Sequence, residues 1–213
     1  MKRMWVVLAI IAAVTVGCKS PGGVRYGEAP KSAVDTRRDT NLAAKLNVEA
    51  VELLRKGELK DAEKKLKDSL SADLLYGPAH NNLGNVYQAQ ERYYEAAWEF
   101  QYAAKLMPGK AQPKNNLGLV FEAVGRLDES AKWYDEALAL EPDNVEITGN
   151  LARVMMRTDR RSNKTKQLLS DIVMKDRRPE WVAWARKQLN EIGQPQNTPA
   201  SSGPNGNGTP DQW

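Results

Sequence analysis

The tetrapeptide Asn-Asn-Leu-Gly occurs twice, at 81–84 and again at 115–118. An aromatic residue follows three positions after each copy, Tyr87 in the first and Phe121 in the second. A weaker third copy places Asn150 after Asn116 at the same interval that separates Asn116 from Asn82. Self-similarity at a fixed period of about 20–50 residues is the signature of a repeat architecture. This recurrence therefore constrains the fold more than any other feature.

Residues 41–192 are rich in Ala, Leu, Glu and Lys, which are strong helix formers. Apolar residues recur at helical spacing in both halves of the second unit: Leu83 and Tyr87, then Ala96, Phe100 and Ala103. Gly84 and Gly118 lie inside helical segments, where glycine costs about 1 kcal/mol relative to alanine. We interpret each glycine as one side of a close contact between two helices. The contact would form between small residues at positions 8 and 20 of each unit, counted from the first residue of that unit.

These features resemble the tetratricopeptide repeat, a helix–turn–helix unit whose period matches the interval between the two tetrapeptides. The resemblance gives units at 43–76, 77–110 and 111–144, and a degenerate fourth unit at 145–178 that fits only with a short insertion after Thr158. It implies an all-α fold, in which three to four repeats over 41–178 form a right-handed superhelix. Residues 179–192 carry Trp181 and Trp184 on one apolar stripe and are predicted to be a capping helix.

In this family the first helices of the units line a concave groove, and an Asn at position 6 often bonds the main chain of a bound peptide. Asn82, Asn116 and Asn150 occupy that position, whereas Val48 occupies it in the first unit, so the row is expected to start at the second unit. Asn47 lies at position 5 and adds a polar group to the same groove. The predicted groove residues are Asn81, Asn82, Asn85, Asn115, Asn116, Asn150, Arg153 and Arg157.

We expect these Asn side chains to be solvated when the groove is empty and to matter little for folding. The alternative is that they are solvated consensus residues without a binding role. Some family members bind a carboxyl-terminal peptide through a clamp of Lys, Asn and Arg side chains. The corresponding positions are Asn81, Asn85, Asn116, Glu146 and Asn150. Every cationic member of the clamp is absent, so binding of chaperone tails is not expected.

A second candidate interface lies on the second helix of the second unit. Tyr94, Trp98 and Tyr102 recur at i, i+4 and i+8, and Trp133 of the next unit is expected to border them. An exposed aromatic stripe indicates an interface, although the stripe would also suit packing against a neighbouring helix. Residues 151–190 contain eleven Lys or Arg and four Asp or Glu, which would attract an acidic partner or serve as a solvated terminal surface.

The amino-terminal segment 1–18 has the order of a secretory signal: a basic start, an apolar run at 5–16, then Gly17 and Cys18. The run is shorter than the roughly 20 residues that span a bilayer. It resembles a bacterial lipoprotein signal, in which Cys18 is lipidated and becomes the mature amino terminus, although Thr15 stands where Leu is usual. An ordinary cleaved signal and an uncleaved anchor are the alternatives. The residue after the cysteine is Lys19 and not the Asp that usually retains a lipoprotein in the inner membrane. This favours attachment to the outer membrane, facing the periplasm.

Two segments flanking the helical region are rich in Gly and Pro. Residues 19–40 are predicted to be a flexible tether of about 25 Å. Residues 193–213 are predicted to be disordered, because they lack the apolar surface that would offset ordering. Trp213 is the one residue of this tail that could anchor on a partner.

Composition excludes several functions. One cysteine and one histidine, Cys18 and His80, do not supply a structural zinc site or a Cys–His catalytic pair. No phosphate loop is recognisable, and a net charge of +4 does not argue for nucleic acid. We expect no cofactor and no metal. The predicted function is that of a lipid-anchored adaptor that binds a protein or peptide at the cell envelope and assists assembly of a complex such as a type IV pilus secretin. A recruiter or regulator of peptidoglycan enzymes is the alternative, and an enzyme is the least favoured class.

Overall fold

The computed structural model describes residues 38–194. The signal segment, Cys18, most of the predicted tether, and the tail from 195 onward lie outside the described residues. Within 38–194 every regular element is an α-helix. The nine helices are α1 (Thr40–Arg55), α2 (Leu59–Ala72), α3 (Gly77–Ala89), α4 (Tyr93–Leu106), α5 (Ala111–Ala123), α6 (Leu127–Leu140), α7 (Val145–Thr158), α8 (Asn163–Lys175) and α9 (Pro179–Gly193).

The helices stack in chain order. Consecutive helices form the largest contacts, α1 with α2, α3 with α4, and α5 with α6. The first helices of successive units, α1, α3, α5 and α7, also contact one another. This arrangement confirms the prediction of an all-α solenoid. No helix within 38–194 is long and apolar enough to span a bilayer.

The turn inside each of the first three units has one residue with a left-handed backbone. Gly57 and Gly125 have φ of 77°, and Glu91 has φ of 61° at the corresponding position of the second unit. Glycine adopts this conformation without steric cost, whereas Glu91 is strained. The fourth unit uses another turn, in which the Ser162 hydroxyl accepts from the Thr165 amide. Helix α8 consequently begins at Asn163, slightly later than the period of the first three units places it.

An aromatic ring covers the helical glycine in the second and third units. A Cβ on Gly84 would lie 2.6 Å from the Phe100 ring, and one on Gly118 would lie 2.4 Å from the Tyr134 ring. The sequence indicated the small residue at position 20 but not the ring at position 24, which a Cβ on the glycine would meet first. Ser130, at position 20, donates its hydroxyl to the Gly118 carbonyl at 2.8 Å. Both rings are completely buried, so the contact fixes the spacing of each helix pair.

The helical domain begins slightly earlier than the sequence indicated. Buried Asp73 accepts hydrogen bonds from Arg38 Nε at 2.9 Å and from the Thr40 hydroxyl at 2.8 Å. Asp39 caps α1 by accepting from the Leu42 amide. Residues 38–40, which the sequence assigned to the tether, are therefore held against the turn between α2 and α3.

Helix α9 closes the other end of the described region. It packs against α8 and buries Ala185 and Ile192. Trp181 and Trp184 meet edge to face with their centroids 5.5 Å apart. Trp181 also covers Gly149, where a Cβ would lie 2.8 Å from the indole. The two tryptophans thus pack against the preceding unit, although they also border a shallow pocket beside Arg153.

The glycine contact predicts the effect of a bulky substitution. Gly118→Leu should lower the free energy of unfolding by about 1–3 kcal/mol, because Tyr134 is completely buried and cannot move aside cheaply. Gly109→Leu is the matched control, since a Cβ there meets nothing within 4 Å. Urea titration followed by circular dichroism measures both. Equal midpoints would contradict the proposed contact.

Candidate functional site

A ladder of asparagine amides connects the first helices of successive units. Each rung runs from position 6 of one unit to position 5 of the unit before it. Nδ2 of Asn82 donates to Asn47 Oδ1 at 2.8 Å, and Nδ2 of Asn150 donates to Asn115 Oδ1 at 3.1 Å. In the middle rung, Asn116 donates to Oδ1 of both Asn81 and Asn85, at 3.1 and 3.2 Å.

The ladder changes two expectations from the sequence. Asn81 is only 3% exposed, and Asn116 and Asn150 are 8% and 7% exposed, so these residues are not simply solvated side chains. The row also starts with Asn47 in the first unit rather than with the second unit. The sequence placed Asn47 at position 5, but the register of the repeat did not show that its amide would meet Asn82, which is 35 residues away.

Each rung leaves one amide atom on either side without a partner among residues 38–194. On the position-6 residues this atom is the Oδ1 acceptor, and on the position-5 residues it is the Nδ2 donor. Every side-chain nitrogen or oxygen shielded from solvent in the described region has a hydrogen-bond partner. The unpaired atoms therefore keep some contact with solvent, and acceptors and donors alternate along the ladder.

A polar pocket of about 180 Å³ opens beside the last rung. Its lining includes Asn115 and Asn116 from α5, and Asn144 and Glu146 at the start of α7. The Asn144 side chain caps α7 by accepting from the amides of Glu146 and Ile147, so the rim of the pocket is rigid. This pocket joins predicted groove residues to Glu146, which the clamp alignment had already grouped with them, and to Asn144, which the sequence had not linked with them.

The predicted groove arginines are already paired. Arg153 forms a two-point ion pair with Glu122, with both nitrogen–oxygen distances at 2.8 Å, and Arg157 lies 3.9 Å from the same carboxylate. Tyr134 also donates to Glu122. Burial alone would raise the pKa of the Glu122 carboxyl, but the bonds from Arg153 and Tyr134 outweigh burial and lower the pKa below its ordinary value. Arg153 is therefore not a vacant anion receptor.

The residues of the predicted aromatic stripe lie in different surroundings. Tyr94 is 88% exposed and Trp98 is 71% exposed, and both line a pocket of about 290 Å³ between α4 and the end of α5. Tyr102 instead stacks edge to face on His80, with 4.5 Å between centroids. Trp133 is half-buried beneath Lys114 and borders a separate pocket. The four residues thus do not form one continuous stripe.

His80 has a packing position in this fold. One ring nitrogen lies 2.6 Å from Glu99 Oε2, and the other lies 2.8 Å from the Leu74 carbonyl oxygen. The histidine thereby joins α3 to α4 and to the turn before α3. Residues 38–194 contain no cluster of His, Cys, Asp or Glu suited to a metal ion.

Comparison with known proteins identifies the repeat. A family model described as the tetratricopeptide repeat matches residues 111–144, which form α5, α6 and the turns that flank them. Residues 111–144 are a tetratricopeptide repeat. The same boundaries define the third unit inferred from the sequence. The neighbouring helix pairs of the solenoid stack on this repeat, and the middle and last rungs of the asparagine ladder join α5 to α3 and to α7.

Several solved structures share the tetratricopeptide fold. The first repeat domain of Spaghetti, bound to an HSP90 peptide, is 21% identical, with a TM-score of 0.56 over 57% of this chain and 97% of that one. PilF of Pseudomonas aeruginosa is 19% identical, with a TM-score of 0.61 over 73% of this chain and 75% of that one. A tetratricopeptide protein of Parabacteroides merdae is 17% identical, with a TM-score of 0.62 over 71% of this chain and 60% of that one. A search of the curated proteins finds no significant match.

The ladder predicts that the groove asparagines stabilise the fold, contrary to the expectation from the sequence. Asn116→Ala removes two inter-unit hydrogen bonds and leaves Asn81 and Asn85 without their donor. We expect a loss of about 1–3 kcal/mol in the free energy of unfolding. Exposed Asn190→Ala is the control and should stay within about 0.5 kcal/mol of wild type. Thermal melts that cannot tell the two variants apart would disprove a structural role for the ladder.

The lowered pKa of Glu122 predicts an acid-sensitive contribution to stability. Because the pKa is lower in the folded state, the contribution is complete above the unfolded value of about 4.3 and is lost as pH falls through the folded value. Melting temperatures from pH 6 to pH 3 should therefore fall more steeply for wild type than for Glu122→Gln. Parallel curves for the two proteins would show that the ion pair with Arg153 does not govern this dependence.

Proposed function

We propose that the tetratricopeptide solenoid binds an extended segment of a protein partner along its asparagine ladder. The observation that carries the proposal is the alternation of solvent-accessible Oδ1 acceptors on Asn82, Asn116 and Asn150 with Nδ2 donors on the position-5 residues. A peptide main chain repeats its own donor and acceptor in the same way. An amide can pair with it whatever the side chains are.

The spacing of the rungs suits an extended peptide. The packed first helices of adjacent units lie about 8–10 Å apart, so Asn82 and Asn150 are separated by roughly 16–20 Å. An extended chain advances about 3.3 Å per residue, and about five or six residues would cover this distance. Side chains of the bound segment would alternate between the groove floor and solvent. Recognition would then rest on the main chain, with selectivity supplied by pockets such as the one beside Asn115 and Glu146.

The comparisons support a protein-binding role at the level of the fold. One similar structure is described as a tetratricopeptide domain bound to an HSP90 peptide. This chain lacks the cationic clamp residues, and Asn116 uses both amide hydrogens on Asn81 and Asn85. We therefore favour an internal extended segment as the ligand over a carboxyl-terminal one.

We place the protein at the cell envelope, held to the outer membrane by a lipid on Cys18 and facing the periplasm. The apolar run at 5–16 followed by Gly17 and Cys18 motivates this part of the proposal. A lipid anchor would hold the groove close to the membrane, where envelope complexes assemble.

The process we favour is assembly of a type IV pilus secretin. The family resemblance drawn from the sequence motivates this choice, because the nearest functional analogy is to lipid-anchored tetratricopeptide proteins that help assemble such secretins. The fold is also similar to that of pilF from Pseudomonas aeruginosa. Secretin or pilus genes beside this gene would favour this process. Peptidoglycan enzymes encoded there would favour the alternative, a recruiter of wall enzymes.

The groove can be tested without breaking the ladder. Gln112 and Glu146 are exposed and line the pocket beside the last rung. We expect Gln112→Trp combined with Glu146→Trp to cover the groove atoms and to weaken binding of a peptide selected from a display library. Loss of two or three main-chain bonds at about 0.5–1.5 kcal/mol each corresponds to roughly a five- to two-thousandfold loss of affinity, measurable by calorimetry.

Lys132→Trp on the exposed side of α6 is the matched control and should bind like wild type. Trp98→Ala tests the competing surface on α4. Unchanged affinity in the groove double variant, together with loss of binding in Trp98→Ala, would assign the site to the aromatic pocket and end the groove proposal.

The anchor has its own test. Metabolic labelling with a palmitate analogue should mark wild type and leave Cys18→Ser unlabelled, because the thiol of Cys18 would be the lipid attachment point. Wild-type protein that carries no label and fractionates away from membranes would overturn the lipoprotein assignment while leaving the groove proposal intact.

A further inference from the structure

The pocket at Tyr94 and Trp98 is an exposed, partly apolar surface that the proposed groove does not use. Three of the exposed large hydrophobic residues within 38–194, Tyr94, Trp98 and Val124, converge on this pocket. Phe121 forms part of the wall, with the Arg126 guanidinium 4.8 Å from its ring. The pocket volume of about 290 Å³ suits one large side chain rather than a folded partner.

We propose that Trp213 of the same chain binds in this pocket, so that the tail docks on the second and third units. Trp213 is the only large apolar side chain in residues 195–213, which are otherwise Gly, Pro, Ala and polar residues. Aromatic rings prefer edge-to-face or offset contacts with other rings, and Tyr94, Trp98 and Phe121 offer such partners.

The tail begins on the edge of the solenoid that carries the pocket. Glu191, near the end of α9, forms an ion pair with Arg160 in the turn between α7 and α8. Arg126, at the rim of the pocket, lies in the turn between α5 and α6, the corresponding turn one unit earlier. Residue 194 and the pocket are therefore about two helix spacings apart, or roughly 16–20 Å.

The length of the tail matches that distance. The segment from Gln194 to Trp213, about 19 residues if flexible, has a root-mean-square span of about 24 Å. A linker whose typical span matches its target holds the ligand at an effective concentration on the order of millimolar. Weak contacts of one indole would then suffice for occupancy.

One charged residue of the tail lies near the proposed contact. Asp211 is the only charged side chain in residues 195–213, and it lies close to Trp213 in sequence. With the indole between Trp98 and Phe121, Asp211 would lie at the rim beside Arg126, whose guanidinium already binds the Glu129 carboxylate and would have to be shared. The Gln101 amide, which also lines the pocket, could donate to a main-chain carbonyl of the tail.

Fluorine NMR of the whole chain labelled with 5-fluorotryptophan tests the proposal directly, in detergent that keeps the apolar amino terminus soluble. Trp213→Ala assigns the tail resonance and should shift the Trp98 resonance. Val124→Asp should move the Trp213 resonance to the position of a solvated indole. Met174→Asp is the matched control, because Met174 is also apolar and exposed but lies on α8, and it should leave the Trp213 resonance unchanged.

A second measurement distinguishes docking within one chain from docking between copies. A peptide of residues 200–213 should bind Trp213→Ala about tenfold more tightly than wild type, because the attached tail competes at its effective concentration. If docking is intramolecular, the Trp213 resonance should not depend on protein concentration between about 20 μM and about 500 μM, a range below the effective concentration. A concentration-dependent shift would replace the proposal with exchange between two copies. A Trp213 resonance unaffected by Val124→Asp would overturn it.

Discussion

The contact between an aromatic ring and a glycine inside each central helix pair is the interaction on which the solenoid depends. Phe100 on Gly84 and Tyr134 on Gly118 set how closely the two helices of a unit approach. Ala50 and Ala152 occupy the glycine positions of the outer units and are completely buried. Interiors are packed so densely that one added methyl group must displace its neighbours. The pair geometry in turn sets where the first helices of adjacent units meet, and hence whether the asparagine amides can reach each other.

In the proposed function, the ladder would link stability with binding through single side chains. In each rung one half of an amide closes the contact between units, and the other half faces solvent. The rung holds the outward-facing atom in a fixed orientation before a ligand arrives, so less rotamer freedom is lost on binding. A hydrogen bond in a chain also polarises the next one, so a ligand that donates to Asn116 Oδ1 would strengthen the bonds from Asn116 to Asn81 and Asn85. Binding along the groove should consequently stiffen the stacking of the units.

Much of the fold could be predicted from the sequence because the repeat pattern determines it. The regular recurrence, the helical stripes and the interrupting glycines indicated the helix pairs, and a tetratricopeptide family model matches residues 111–144. Side-chain orientation could not be predicted in the same way. Position 5 and position 6 are neighbours in sequence, yet they meet across different units in the ladder. The pairing of Arg153 with Glu122 joins residues on different helices, and nothing in a helical stripe distinguishes a paired arginine from an unpaired one.

The side chains of the first and last helices, at the positions where inner helices pack against a neighbouring unit, limit the length of the groove. Ala79 and Val86 of α3 are completely buried, whereas Lys45 and Glu52, at the same positions of α1, are exposed. Burying these two charges against another helix pair would require each to lose its hydration, which is costly for an unpaired ion. Within 38–194 the ladder therefore begins at the rung between Asn82 and Asn47.

At the other end, Gly149 replaces the position-5 asparagine, and Trp181 covers it. Arg186 stands on α9 where α3 and α5 have glycine, so a following helix could not approach α9 as closely as Phe100 approaches Gly84. The ladder within 38–194 thus stops at three rungs. Its two ends differ, because charged side chains lie on α1 with Asn47 and the indole rings of α9 lie beyond the last rung. A bound segment would meet a polar environment at one end and an apolar one at the other, which would give it a preferred direction along the groove.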